Sequence, residues 1–284
     1  MIIQKLKDIR NKILNPIRKR RREKEIEDKI KTARIKKEAI DKLIPSGYYF
    51  SHNGYCVCCE KEVVFEAHDS WLRDSYFCMS CRSKPRERAL MKAIETYYPN
   101  WKDLTIHEAA PIKGRGATLT MQKHCKNYLG SQYYPTKEFG TMIDGYRNED
   151  LEKQTFADES FDLVITSDVL EHIYDPEKAF KEIARTLKKG GAHIFTVPII
   201  NRHMKTQVWA TLGENGQPNF LHTPEYHGNP VDSTGAPVTM HWGFDMVDFI
   251  KKVSGLDTDV VDLYDKEHAI MGVYNEVFVS YKAK

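Results

Sequence analysis

"SFDLVITSDVLEHIYDPEKAFKEIARTLKKGGAHIFTVP", residues 160–198, decides the fold. The run FDLVIT is short, apolar and rich in β-branched residues, which predicts a strand. DPEKAFKEIARTLKKGG opens with Asp and Pro and closes on a glycine pair, which predicts a helix ended by glycine. AHIFTVPII then reads as a second strand. Outward from this unit the alternation continues. LTIHEA and YLGSQYY read as strands around the helix GATLTMQKHC, and RSKPRERALMKAIETYYP as a helix with Pro85 in its first turn and Leu90, Ala93, Ile94 and Tyr97 on one face. Later come the helix GFDMVDFIKKVSG and the strands DTDVVDLY and NEVFVSYK.

Strands alternating with helices predict an α/β fold: a doubly wound, mostly parallel Rossmann-like sheet with helices on both faces. In such sheets ligands bind beyond the carboxyl ends of the strands. That rule selects Glu108 to Pro111, Gln132 and Tyr133, Ser167 to His172, and Pro198. Asn148, Glu149 and Asp150 precede the FDLVIT strand and are expected beside the same crevice.

Ahead of this domain, Cys56 and Cys59 form one CxxC knuckle and Cys78 and Cys81 another. Two knuckles at this spacing let four thiolates converge on structural Zn²⁺, with Cys58 or His68 as replacement ligands. The chain shows no export signal or membrane-length apolar run, which favours metal over disulfides and a cytoplasmic setting. Charge is uneven. Residues 1–45 carry 16 Lys or Arg against 7 Asp or Glu, a net +9, while the remainder carries 27 against 33, a net −6. Ile2, Leu6, Ile9, Ile13 and Ile17 recur at helical spacing before Arg18, Lys19, Arg20, Arg21 and Arg22. This describes a basic amphipathic arm for an anionic surface, either the inner face of a membrane or nucleic acid, or for packing on a partner chain. The expected organisation is an arm (1–45), a zinc-binding module (46–84) and a main domain (85–284) with a long connection at 199–241.

EDLEKQTFADESFDLVITSDVLEHIYDPEKAFKEIARTLKKGGAHIFTVP, residues 149–198, resembles the class I S-adenosylmethionine-dependent methyltransferases, and the likeness covers about residues 104–200. The knuckles, RSKPRERAL and LHTPEYHGNPVDSTGAPVTMHWGFD further resemble bacterial methyltransferases that accompany surface-glycan biosynthesis. The resemblance implies a seven-stranded sheet ending in an antiparallel strand. It also implies that Glu108, Ala109, Ala110, Pro111, Gly114 and Gly116 contact the methionine part of S-adenosylmethionine. EAAPIKGRG departs from the usual E-x-G-x-G-x-G. Gln132, followed by Tyr133, takes the place of the acid that meets the ribose. Asp150, with Glu149 as substitute, matches the position that receives the adenine amino group, and Leu151 the adenine face. Ser167, Asp168 and Glu171 hold the loop or cofactor.

For a hydroxyl acceptor a base is needed, and His172 at the sheet edge is the first candidate. Others lie in the long connection: His222 and His227, crowded with Glu225, Tyr226 and Asn229, while His241 and Trp242 line the same cleft. The expected function is methyl transfer to a hydroxyl of a sugar or surface-glycan intermediate. The alternatives are an RNA methyltransferase, against which the acidic balance outside the arm counts, and a non-catalytic scaffold suggested by the altered glycine loop.

Overall fold

The structure, a computed structural model, describes residues 50–229 and 231–284. The basic arm over residues 1–45 lies outside the described residues. The cysteine module is a three-stranded antiparallel sheet of β1 (Phe50–Cys56), β2 (Lys61–Ala67) and β3 (Tyr76–Cys78), with the single turn α1 (Leu72–Ser75). The knuckles sit at the β1–β2 turn and just after β3, so antiparallel pairing brings them to the same end of the sheet.

Helix α2 (Pro85–Tyr97) begins at Pro85 and is closed by a capping box, in which Glu87 accepts from the Lys84 backbone N–H. It buries Leu90, Met91 and Ile94 and packs against the sheet strands β9 and β17 defined below. Then follow β4 (Thr105–Ala109), α3 (Gly116–His124), β5 (Asn127–Gln132), β6 (Met142–Ile143), β7 (Tyr146–Asn148), β8 (Phe161–Ser167), α4 (Pro176–Thr186) and β9 (Leu187–Thr196). The connection after β9 holds three short antiparallel pairs. These are β10 (Gln207–Val208) with β15 (Met240–His241), β11 (Ala210–Leu212) with β12 (Pro218–Phe220), and β13 (Tyr226–His227) with β14 (Ala236–Pro237). Helix α5 (Met246–Ser254) and strands β16 (Asp257–Val261) and β17 (Val277–Tyr281) complete the chain.

The main sheet runs β16-β17-β9-β8-β4-β5-β7-β6. Strands β9, β8, β4, β5 and β7 are parallel, and β17 lies antiparallel to β9 as expected. The sheet has eight strands rather than seven. Asp144 and Gly145 both take positive φ, 51° and 85°, and form the tight turn that folds β6 back on β7. A second correction concerns the glycine pair. Helix α4 ends at Thr186, and Leu187 is already extended and paired with Phe161. Gly190 and Gly191 instead shape an irregularity within β9, where a Cβ on Gly191 would stand 2.6 Å from the Asp162 carbonyl oxygen.

Helices α4 and α5 present Phe180, Ile183, Met246 and Ile250 to Phe195 and Phe278 of the sheet, around fully buried Trp242. Inside the sheet His107 bonds Ser131 and His193 bonds Thr166. Burial lowers both imidazoles to about 3, so they serve as neutral core groups. Among the described residues no helix is long and apolar enough to cross a membrane.

Candidate functional site

Parallel register aligns the carboxyl ends of β4, β5, β7, β8 and β9 on one edge, and the site is built there. On β4, Glu108 accepts 2.6 Å hydrogen bonds from Thr118 of α3 and from Tyr128 of β5. Its burial raises the carboxyl to about 7. Ala109 and Pro111 are buried and Ala110 half-buried. Gln132 donates its side-chain amide to the Pro111 carbonyl at 2.9 Å, which ties the ends of β4 and β5 together. Gly114 is open to solvent. Gly116 is not free, because a Cβ there would stand 2.7 Å from the Glu87 carboxyl group. The Gly116 N–H donates to the Cys81 carbonyl, so the cysteine module rests on the first turn of α3.

At the neighbouring strand ends, Tyr133 is half exposed and stacks on Phe139. Glu149 is buried and engaged by Arg147 and by the Thr155 N–H and hydroxyl. Among the described residues the Asp150 carboxylate accepts only from the Glu152 N–H, through Oδ1, and burial and then Glu149 raise its carboxyl above the ordinary range. Of this acidic pair Asp150 therefore retains hydrogen-bonding capacity for an adenine amino group. Leu151 is buried in the main core.

Ser167 shares a hydrogen bond with Thr196. Asp168, next along, is gripped by Arg73 Nη2 and Arg86 Nε at 2.7 Å each and accepts from Thr196. Burial pushes this carboxyl up, but the two guanidinium groups outweigh it and hold it below its usual value. Sequence reasoning missed Arg73 in this role, for nothing in SWLRDS points toward a strand end 95 residues away. Of the RSKPRERAL arginines, Arg82 stays exposed over the Phe77 ring, while Arg86 turns inward onto Asp168 and Asp74, and fully buried Arg88 onto the Ser83, Tyr76 and Ala269 carbonyls.

Beyond Asp168, a 3-10 turn at Leu170–His172 carries Glu171 and His172. The insertion is fastened over this turn by the Thr239 N–H and hydroxyl, which donate to the Glu171 carbonyl, and by the Trp242 indole, which donates to the Leu170 carbonyl. That docking brings His227 to Glu171. The Glu171 side chain is buried, and neither carboxylate oxygen has a hydrogen-bond partner among the described residues. His227 Nδ1 lies 3.7 Å and His172 Nε2 3.9 Å from Oε1. The donor atoms of these three residues all lie within 4.8 Å of one another, a set that can pass a proton or hold a cation. His172 Nδ1 is 2.8 Å from the Pro237 carbonyl oxygen. A carbonyl only accepts, so Nδ1 carries the proton and the neutral ring keeps its lone pair at Nε2. The negative charge of the nearby Glu171 carboxylate, then that of Glu225, raises the His227 pKa against the opposing effect of burial. Glu225 also holds His241 at 2.9 Å. His222 does not join the group, and stacks instead on Trp209, which also stacks on His241.

Cys56, Cys59, Cys78 and Cys81 converge as expected, with all four sulfurs within 4.8 Å of one another. Cys56 and Cys81 stand 3.8 Å apart and Cys59 and Cys78 3.6 Å. A tetrahedron with Zn–S bonds of about 2.3 Å has edges of about 3.8 Å, so the donor set fits Zn²⁺. Cys58 is outside the quartet and points to the Glu87 carbonyl, and His68 is outside it as well.

Residues 118–195 match the family model described as a methyltransferase domain. The chain is 28% identical over 144 residues to the ubiquinone biosynthesis O-methyltransferase of Rhizobium leguminosarum bv. trifolii (strain WSM2304), covering 47% of this chain and 56% of that one. It is 32% identical over 76 residues to the ubiquinone biosynthesis O-methyltransferase of Coxiella burnetii (strain Dugway 5J108-111), covering 27% and 32%. The chain thus spans about half the length, or less, of these curated relatives. Among solved structures it is similar to an S-adenosylmethionine-dependent methyltransferase from Mesorhizobium loti, with 17% identity, a TM-score of 0.45, and coverage of 68% of this chain and 96% of that one. The domain match over residues 118–195 and the strand order give the sheet a Rossmann-like methyltransferase fold.

Proposed function

We propose that the protein is an S-adenosylmethionine-dependent methyltransferase that acts on a hydroxyl of a sugar or surface-glycan intermediate. The observation that carries this reading is His172, whose Nδ1 is fixed by Pro237 while Nε2 faces the unpaired Glu171 carboxylate. The cofactor supplies an electrophilic methyl group. Asp150 would receive its adenine amino group, Leu151 would support the ring, and the Gln132 amide would stand toward the ribose. His172 Nε2 takes the acceptor hydroxyl's proton, and the Glu171 carboxylate stabilises the imidazolium that results. The protein adds proximity and orientation, the larger part of a methyl transfer whose leaving group is already activated.

The ubiquinone relatives are named as O-methyltransferases, which supports a hydroxyl acceptor. Zn²⁺ in the cysteine quartet is structural in this reading, since four sulfurs leave no open coordination position. Calorimetric titration with S-adenosylmethionine and S-adenosylhomocysteine tests the proposal. Micromolar binding of both is expected, and absence of binding by folded protein would sink it.

A further inference from the structure

The seam between the cysteine module and the segment before β17 carries polar groups that the methyl-transfer site does not use. Asn275 and Glu276 immediately precede Val277, which pairs with Thr196 at the carboxyl end of β9, so both stand on the ligand edge of the sheet. Asn275 is 4% exposed, and neither its amide oxygen nor its nitrogen has a partner among the described residues. Glu276 is 5% exposed. Its Oε2 is unpaired too, while Oε1 lies 3.7 Å from Arg202 Nη1. Burying an amide and a carboxylate this way costs folding free energy, which a ligand that hydrogen-bonds them recovers.

Aromatic surface flanks these groups. Arg202 lies 5.2 Å over the Tyr274 ring, and half-exposed Trp71 of the cysteine module sits 6.3 Å from the same ring. Arg73 donates to the Tyr274 carbonyl and to Asp168, joining this seam to the methyl-transfer edge. Three non-glycine residues here, Asp168, Arg202 and Tyr274, hold left-handed backbone conformations with φ of 54°, 42° and 55°. Such strain concentrates at functional sites.

We infer that this seam is a sugar-ring subsite for the acceptor, with the Asn275 amide and Glu276 carboxylate taking adjacent hydroxyls and Trp71 and Tyr274 facing the ring's C–H surface. The inference rests on the reading above that the acceptor is hydroxylated, and adds the residues that select it. An amide offers both donors and an acceptor and a carboxylate offers acceptors only, a combination that vicinal hydroxyls satisfy. A phosphate would meet the like charge of Glu276, and a plain apolar ring would leave the Asn275 amide unpaired. Arg202 bridges Glu276 and Tyr274 and has to swing aside to admit the ligand.

Saturation-transfer NMR on the full chain tests this, with the methyl α-glycosides of glucose, mannose and galactose as probes and cyclohexanol as the apolar control. Transfer to the ring protons of at least one glycoside, above that to cyclohexanol, is expected. Trp71→Ala lies at the surface and should keep its melting temperature while weakening that glycoside about tenfold. Asn275→Leu should abolish the signal if the variant folds. Transfer to no glycoside beyond the cyclohexanol level, or unchanged binding in Trp71→Ala, overturns the subsite. S-adenosylmethionine titration of the same samples reports separately on the methyltransferase reading.

Discussion

Arg73 Nη2 lies 2.7 Å from Asp168 Oδ2, so a four-residue turn of the cysteine module grips the end of the central strand β8. The module is therefore fastened to the edge where the candidate cofactor and acceptor residues converge. Removing Arg73 leaves Asp168 buried with Arg86 as its remaining cation. Arg73→Ala should cost about 3 kcal/mol, the scale of breaking a buried ion pair from one side. Chemical denaturation measures that loss, and a change below about 0.5 kcal/mol, typical of exposed pairs, would contradict the clamp.

The cysteine quartet makes a parallel prediction. Cys78→Ser should lower bound zinc and the melting temperature together, because metal affinity and folding are linked in such sites. Cys58→Ser should leave the metal in place, since that sulfur points to Glu87 and not to the quartet. Elemental analysis of both purified variants decides. Zinc lost from Cys58→Ser and kept in Cys78→Ser would overturn the assignment.

If Asp150 receives the adenine amino group as proposed, Asp150→Ala should weaken S-adenosylmethionine by about tenfold while leaving the fold intact, through loss of one charge-assisted hydrogen bond. Glu149→Ala is expected to damage stability instead, since Glu149 is buried and fully engaged by Arg147 and Thr155. Calorimetry beside thermal melting separates the two. Equal cofactor affinity in Asp150→Ala and wild type would remove Asp150 from the site.

Glu171 is a buried carboxylate without a hydrogen-bond partner among the described residues, an arrangement that costs stability. Glu171→Gln should stabilise the fold by about 1 kcal/mol and return the raised His227 pKa toward its ordinary value. NMR titration of the histidine ring carbons reads the second effect, and an unmoved His227 would show that Glu171 does not act on it. Loss of methyl transfer in the same variant is the functional counterpart.

His107 and His193 set a pH limit. Burial lowers both to about 3, below the value of about 6.5 for an unfolded histidine. Between those values the unfolded chain binds protons that the folded chain does not. Stability is therefore fully present above about pH 6.5 and falls as the pH drops, by up to about 1.4 kcal/mol per unit for each histidine. A melting temperature that holds level from pH 7 down to about 4 would rule this out.

Much of the fold was legible in the sequence because it is written in local chemistry. β-Branched runs and Pro176 and Gly255 at helix boundaries follow from short-range preferences, while the antiparallel final strand was expected from the family resemblance alone. The misreadings were local as well. The Asp144–Gly145 turn carried a hairpin signal, yet a two-residue strand is too short for a periodic pattern. The Gly190–Gly191 pair looked like a helix stop, but close approach to the Asp162 carbonyl gives it a place inside β9.

By itself, then, the sequence determined the order of the long strands and helices, the ligand edge of the sheet, and the pairing of two CxxC knuckles at a spacing that lets them converge. Tertiary structure alone decided which buried charge meets which. Arg73 reaches Asp168, His227 reaches Glu171, Glu276 comes to lie beside Arg202, and Tyr274 beside Trp71, through the path of the whole chain. The physical reason is that a side-chain contact across dozens of residues depends on packing in three dimensions, whereas helix, strand and knuckle propensities act within a few residues.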